Sequence, residues 1–163
     1  MKIKKCRNCS SLKLQKLFSL GNLFYTGKFK KRNSKVKKGI IELIICKKCK
    51  LVQLAHSFDL NYLYGPDYGY RTGINKTMTA HVKNVVEVLT RKTKLKKNDL
   101  VLDIASNDGT LLNSYKNQSV ITFGIDPLIY KYLKNYKKIK HKISSFFSIN
   151  KIKKVTLKKF KII

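Results

Sequence analysis

Val101-Leu-Asp-Ile-Ala-Ser-Asn-Asp-Gly-Thr-Leu-Leu112 decides the fold class. Leu100 to Ile104 is a short apolar run of strand length. Ala105 to Gly109 is a tight polar turn, and Thr110 opens an apolar helix. Strand, turn and helix in that order form the first βα unit of a nucleotide-binding α/β domain. Ligands in such domains sit at the carboxyl ends of the strands, where small turn residues let the backbone approach and a helix start offers free N–H groups. Asp103 stands at that strand end. A second apolar run, Val120 to Ile125, closes on Asp126, twenty-three residues after Asp103. An acid there is placed to accept hydrogen bonds from ribose hydroxyls. The turn has a single glycine, Gly109, and is not a dinucleotide fingerprint.

Outward from this core, the pattern predicts a helix from Met78 to about Lys92, carried by Val82, Val85, Val86 and Leu89 at helical spacing. Lys94 to Asn98 links it to the first strand. After Asp126-Pro127, Leu128 to Tyr136 reads as a helix and Ile139 to Ile143 as a third strand. Phe160 to Ile163 reads as the start of a fourth.

The amino-terminal third has different chemistry. Cys6, Cys9, Cys46 and Cys49 are all the cysteines of the chain, and they form two C-x2-C pairs separated by 36 residues. Four thiolates at this spacing close a tetrahedral Zn²⁺ site from two knuckles, leaving no open position for water or substrate, so the metal is structural. Two disulfides or buried free thiols are the alternatives. Leu14 to Phe24 alternates loosely around a Gly21-Asn22 turn signal, residues 27–39 read as a lysine-rich loop or hairpin tip, and Ile40 to Ile45 and Leu51 to Leu54 read as strands flanking the second knuckle. A module this small depends on its metal. Between the two regions, Tyr62, Tyr64, Tyr68 and Tyr70 fall within nine residues on a stretch broken by Gly65-Pro66 and Gly69. They either lend hydroxyls to a ligand or pack against one another.

The sequence therefore divides into a zinc-binding module (1–56), a tyrosine-rich loop with a connecting helix (57–98) and a partial Rossmann-like parallel sheet (99–163). With 163 residues, 43% of them hydrophobic, there is material for one ordinary domain or two small ones. The N-terminus lacks a hydrophobic signal core, and no apolar run approaches the ~18 residues of a membrane span, so the expectation is a cytoplasmic protein without a membrane partner. The formal net charge of +29 is supplied almost wholly by lysine, with arginine only at positions 7, 32, 71 and 91. Sequence-specific nucleic-acid surfaces favour the planar fork of arginine, so this charge predicts non-specific affinity for polyanions. A zinc-ribbon module that binds nucleic acid or an acidic partner is the alternative function.

Taken in order, several stretches resemble one family. They are the two C-x2-C knuckles, CKLVQLAH (Cys49–His56), YLYGPDYGYRTGINKTMTAHV (Tyr62–Val82), VLDIASNDGTLL (Val101–Leu112), GIDP (Gly124–Pro127) and the Phe146-Phe147 pair. The loop is similar to the cofactor loop of class I S-adenosylmethionine-dependent methyltransferases. The whole pattern resembles the C-methyltransferases that act on nucleotide-linked deoxysugars and carry an N-terminal zinc-binding domain. That resemblance implies that Asp103, Ala105, Ser106, Asn107 and Asp108 contact the methionine part of S-adenosylmethionine. Asp126, with Pro127, would hold the ribose, and Phe146 or Phe147 would flank the adenine. Tyr64, Tyr68 and Tyr70 would face the sugar or the sulfonium, a cation that gains from aromatic faces.

Three departures stand out. Ala105 occupies a position where the family has glycine, and Ser144 and Ser145 stand where it has acids. The family is also considerably longer, and its acid/base histidine lies in a His-Glu-His segment with no counterpart here. The resemblance thus implies an N-terminal piece of such an enzyme: either a truncated gene product, or half of a split gene whose C-terminal half is encoded separately. His56, His81 and His141 have no evident carboxylate partner and do not replace the missing base.

Overall fold

The structure is a computed structural model, and it describes residues 1–25, 27, 35–115 and 119–163. It separates into two compact units, Met1–Gly69 and Tyr70–Ile163.

The first unit is built on an antiparallel sheet in the order β1 (Leu14–Phe24), β2 (Lys38–Cys46), β3 (Val52–Leu54). β-branched Ile40, Ile41, Ile44 and Ile45 explain the central strand. The Gly21-Asn22 pair, expected as a turn, lies inside β1. The register slips between Ser19 and Gly21, and Gly21 takes φ +73°, so the signal marks a β-bulge in a continuous strand. A positive φ suits a bulge as well as a turn, and the pairing of Asn22 to Phe24 with β2 decides between them. Residues 28–34 of the predicted lysine-rich loop lie outside the described residues, and β2 already begins at Lys38. Beyond β3, Asp59 caps a single helical turn, α1 (Leu60–Leu63), by accepting from the Asn61 N–H at 2.9 Å.

The second unit begins with a 3₁₀ turn (Thr72–Ile74) and then α2 (Lys76–Thr93). The Asn75 side chain caps α2 by accepting from the Met78 N–H. Val82 and Val86, four residues apart, are its buried face. The sheet is parallel, in the order β4 (Leu100–Ile104), β5 (Ile121–Ile125), β6 (His141–Ile143). Alternation splits its side chains between two faces. Val101 lies in a cluster with Val86, Leu112, Tyr115, Ile129, Tyr136 and Ile139. Leu100, Leu102, Phe123 and Ile125 lie in another with Ile152, which belongs to α4 (Ile149–Lys153).

The fold is thus α/β: a cysteine-bearing zinc-ribbon-like module, then a three-stranded parallel sheet of partial Rossmann-like form. Two local readings change. Thr110 opens only one helical turn, α3 (Thr110–Asn113). Leu128 to Tyr136 is not an α-helix: a 3₁₀ turn at Ile129–Tyr132 is followed by further turns, through bonds such as Asn135 N–H to Tyr132 C=O and Tyr136 N–H to Leu133 C=O. Tertiary packing overrides helical propensity here, because Leu128, Ile129, Tyr136 and Ile139 are all almost fully buried, and the Tyr136 hydroxyl reaches the turn after β4. The terminal residues lie beside β4 through a single parallel bridge, Val101 to Ile162, without an extended ladder.

Candidate functional site: a thiolate cage and the tips of the parallel strands

The two knuckles are built alike. In the first, Ser10 N–H donates to Cys6 C=O and Cys6 N–H to Ser11 C=O; in the second, Lys50 N–H donates to Cys46 C=O and Cys46 N–H to Leu51 C=O. The residue after each second cysteine, Ser10 or Lys50, is left-handed at φ +57° or +63°. The repeated turn aims four sulfurs at one point. Cys6 and Cys49 sulfurs are 3.5 Å apart, Cys9 and Cys46 sulfurs 3.6 Å, and all four lie within 4.8 Å of one another. Four sulfurs at Zn–S bonds of 2.3 Å define a tetrahedron with edges of about 3.8 Å. The cysteines are free, and these separations are far longer than a disulfide bond. The donor set and its spacing fit Zn²⁺ and exclude the disulfide alternative.

Backbone N–H groups prepare two of the sulfurs for metal, while Cys9, despite the Ser11 N–H, is pushed up to about 11 by burial and the neighbouring sulfurs. The Cys9 N–H, assisted by the Gln53 side chain, holds the Cys6 thiol down to about 6, and the Cys49 N–H lowers Cys46 in the same way. Gln53, buried on β3, donates to Cys6 Sγ at 3.4 Å, while its Oε1 accepts from the Arg7 backbone N–H. A donor held against a thiolate in this way orients the sulfur toward its metal. The sequence reading missed Gln53. The signal available was its place between outward-facing Val52 and Leu54 on a short strand.

At the other site, β4 and β5 run in parallel register, Asp103 opposite Gly124, and end side by side. Ala105 N–H donates to Ile125 C=O. Asp126 is buried, and its two oxygens accept from Asn107 N–H at 3.0 Å and Leu128 N–H at 2.7 Å. The predicted ribose acid therefore also ties the turn after β4 to the turn after β5. A carboxylate offers about four lone-pair positions, so acceptor capacity remains. Burial raises the Asp126 carboxyl, with the two N–H groups pulling the other way. Burial, with the neighbouring Asp126 charge, lifts Asp103 to about 6. The two acids thus share one end of the sheet.

Asp108 is completely buried and fully engaged. It accepts from Thr110 Oγ1 at 2.6 Å and Gly73 N–H at 3.0 Å, and pairs with Arg71 Nε at 3.4 Å. Its side chain holds the turn against the segment leading into α2. Asn107 does the same from the next position, accepting from Thr72 N–H and donating to the Tyr70 carbonyl. Ser106, also buried, shares a 2.8 Å hydrogen bond with the Tyr136 hydroxyl. Gly124 makes room for this pair, because a Cβ there would stand 3.0 Å from both Ser106 Oγ and the Tyr136 ring. Ala105 and Asn107 hold positive φ of 61° and 49°.

Pro127 follows Asp126 in the turn. Phe146 is half-buried and Phe147 exposed, just past the end of β6; Ile143, the last residue of β6, accepts from the N–H groups of both Asp126 and Ser145. The residues predicted to contact methionine, ribose and adenine thus follow the ends of β4, β5 and β6 in turn. Of the tyrosines, Tyr64 and Tyr68 belong to the first unit, with ring centroids 5.2 Å apart, and Tyr70 begins the second. A cavity of about 450 Å³ borders the turn at Asp108 and Thr110, but its far wall is formed by Lys134, Lys137 and Lys138, away from Asp103 and Asp126. Arg71 and Tyr136 carry much of the site's architecture and were not singled out in the sequence. Their partners lie 37 and 30 residues away, beyond the reach of local pattern.

Residues 6–64 match a methyltransferase family described as "Putative zinc binding domain". All four cysteines of the cage lie within this match. Over 87 residues the chain is 25% identical to the C-methyltransferase NovU of Streptomyces niveus. The match covers 53% of this chain and 20% of that protein, so it spans about one fifth of the relative's length. No helix among the described residues is long and apolar enough to cross a membrane.

Proposed function

We propose that this chain supplies the zinc module and the cofactor-binding strands of an S-adenosylmethionine-dependent C-methyltransferase acting on a nucleotide-linked keto-deoxysugar. The observation that carries the reading is the placement of Asp103 and Asp126 at the ends of adjacent parallel strands, whose following turns are joined by the bond from Asn107 N–H to Asp126. In this reading the turn from Ala105 to Asp108 lies against the methionine moiety, Asp126 holds the ribose and Phe146 covers the adenine. Bound S-adenosylmethionine supplies an electrophilic methyl group. The zinc keeps a structural role, since four thiolates fill its coordination.

Carbon methylation needs a base to remove a proton beside a carbonyl. Among the described residues, no histidine is bonded to a carboxylate; His141 instead stacks on Phe123 at 4.2 Å. In this reading the base is supplied from outside these 163 residues, and they do not turn over alone. The test is calorimetric titration with S-adenosylhomocysteine, followed by a methyl-transfer assay on a keto-deoxysugar nucleotide. Binding that weakens at least tenfold in Asp126→Ala is expected. No binding to wild type, or unchanged binding in the variant, defeats the cofactor assignment; turnover by the isolated chain defeats the division of labour. The basic charge favours non-specific attraction to polyanions, which a steep fall in nucleic-acid affinity with salt would register.

A further inference from the structure

The pleat of the first unit's sheet sorts its side chains onto two faces of opposite character. Residues opposed in an antiparallel ladder point to the same face, and successive residues alternate. One face carries Glu42, Ile44 and Cys46, with Lys16 and Gln53 opposite Ile44. It holds the cage and the ion pair of Lys16 with Glu42 at 3.3 Å. On the other face Phe18 opposes Leu43, which opposes Leu54; Gly21 opposes Ile41; and Gln15 and Val52 flank Ile45. No side chain of the sheet is charged on this second face, in a chain with 37 lysines and arginines. At one end the chain roofs it, since the Tyr25 and Phe58 rings stand where a Cβ on Gly39, opposite Leu23, would project. Phe18, Leu23 and Val52 nevertheless remain 50%, 44% and 49% exposed. Beside them, the register shifts after Lys16 and after Ser19 leave Leu17 and Leu20 outside the ladder and exposed. Bulges of this kind discourage a further strand from adding to an edge, so a partner meets this surface through side chains.

We infer that the uncharged face is the contact between two copies of this chain, stacked sheet on sheet about a two-fold axis. A two-fold contact sets a surface against itself, so like charges within it repel. The net charge of +29 makes most approaches of two copies unfavourable, and the repulsion is least where the surface itself is neutral. Lysines more than about 8 Å from the contact are screened at physiological salt. The half-exposed apolar side chains present on the order of 500 Å² per copy, a large patch for a monomer. Two such faces together bury about 1,000 Å², at the lower bound for a specific interface and suited to a reversible dimer. Sheets stack face to face at about 10 Å, with their side chains interdigitated. The cages stay outside the contact, because Cys46 and Gln53 point away from it. The dimer does not depend on the methyl-transfer reading.

The test is sedimentation equilibrium of the zinc-loaded full chain across the micromolar range, at physiological and at raised salt. A monomer–dimer equilibrium is expected, and it should tighten with salt as the lysines are screened. Phe18→Lys places a charge inside the contact and should weaken the dimer at least tenfold. Phe24→Lys is the matched control: Phe24 opposes Lys38 on the cage side and is 60% exposed, so its loss should leave the dimer unchanged. Zinc content checks that both variants are folded; if Phe18→Lys loses its metal, Val52→Lys replaces it with the same weakening expected. A monomer at every concentration and both salts overturns the inference and leaves the face to a different polypeptide. Association that dissolves with added salt, or that Phe24→Lys weakens as much as Phe18→Lys, overturns it as well.

Discussion

The two units of this chain reach order by different physical means. Among the described residues, the first unit buries only Cys6, Ile44, Cys46 and Ala55 of its apolar side chains, and every residue of β1 after Leu14 is exposed. The second buries fifteen, arranged on both faces of a parallel sheet. Two of the four buried apolar groups in the first unit are metal ligands. Its order is therefore coupled to an ion, whereas the second unit is held by the removal of apolar surface from water. The position of the buried polar groups follows the same division. In the first unit Gln53 serves a sulfur; in the second Ser106, Asp108 and Asp126 serve the turns at the strand tips.

If that contrast is right, the largest effect comes from the cage. Cys46→Ser combined with Cys49→Ser should lower bound zinc from about one per chain to none. Structural zinc contributes ~10 kcal/mol or more to such modules, so the first unit should unfold. Metal analysis and circular dichroism check this, and a separate thermal transition from the second unit should survive. Loss of both transitions together would break the comparison.

Next in size is Asp108→Ala, which strands a buried cluster of donors and should cost the second unit about 3 kcal/mol in urea unfolding while leaving zinc content unchanged.

Asp103 gives a pH signature. Its carboxyl is raised from the ordinary 3.8 to about 6, mainly by burial. Between those values the folded state holds a proton that the unfolded state has released. Stability therefore falls as pH rises through about 4 to 6, and the penalty is fully present above that window. Asp103→Asn should remove it and stabilise the second unit by about 2 kcal/mol at neutral pH, with little change at pH 4. An unchanged pH profile of the melting temperature would show that Asp103 is not desolvated.

Asp126→Ala should cost about 2 kcal/mol through the unmet N–H groups of Asn107 and Leu128, in addition to its effect on cofactor affinity. The smallest effect is a gain: Ala105 holds φ +61°, and Ala105→Gly should relieve about 1 kcal/mol of strain.

What could be read in the sequence was whatever depends on spacing. The C-x2-C pairs, the strands ending at Asp103 and Asp126, and the long amphipathic helix each carry their cause within a few residues. What could not be read depends on partners distant in the chain. The bonds of Asp108 to Arg71 and Gly73 span 37 and 35 residues and have no local signature. The stretch from Leu128 to Tyr136 had a helical rhythm, but Tyr136 has to reach Ser106 and Asn107, and consecutive tight turns deliver it there. Gly21 announced a reversal that the pairing of β1 with β2 converted into a bulge.

The fastening of Thr72 and Gly73 to the side chains of Asn107 and Asp108 has a mechanical corollary. A molecule that draws Asn107 toward itself either gives up these fastenings or drags Thr72 along, and with it the leading end of α2 two residues beyond Ile74. Occupancy at the strand tips would in that case shift the start of the eighteen-residue helix. A fluorophore placed near Lys76 would sense arrival of a guest without touching it.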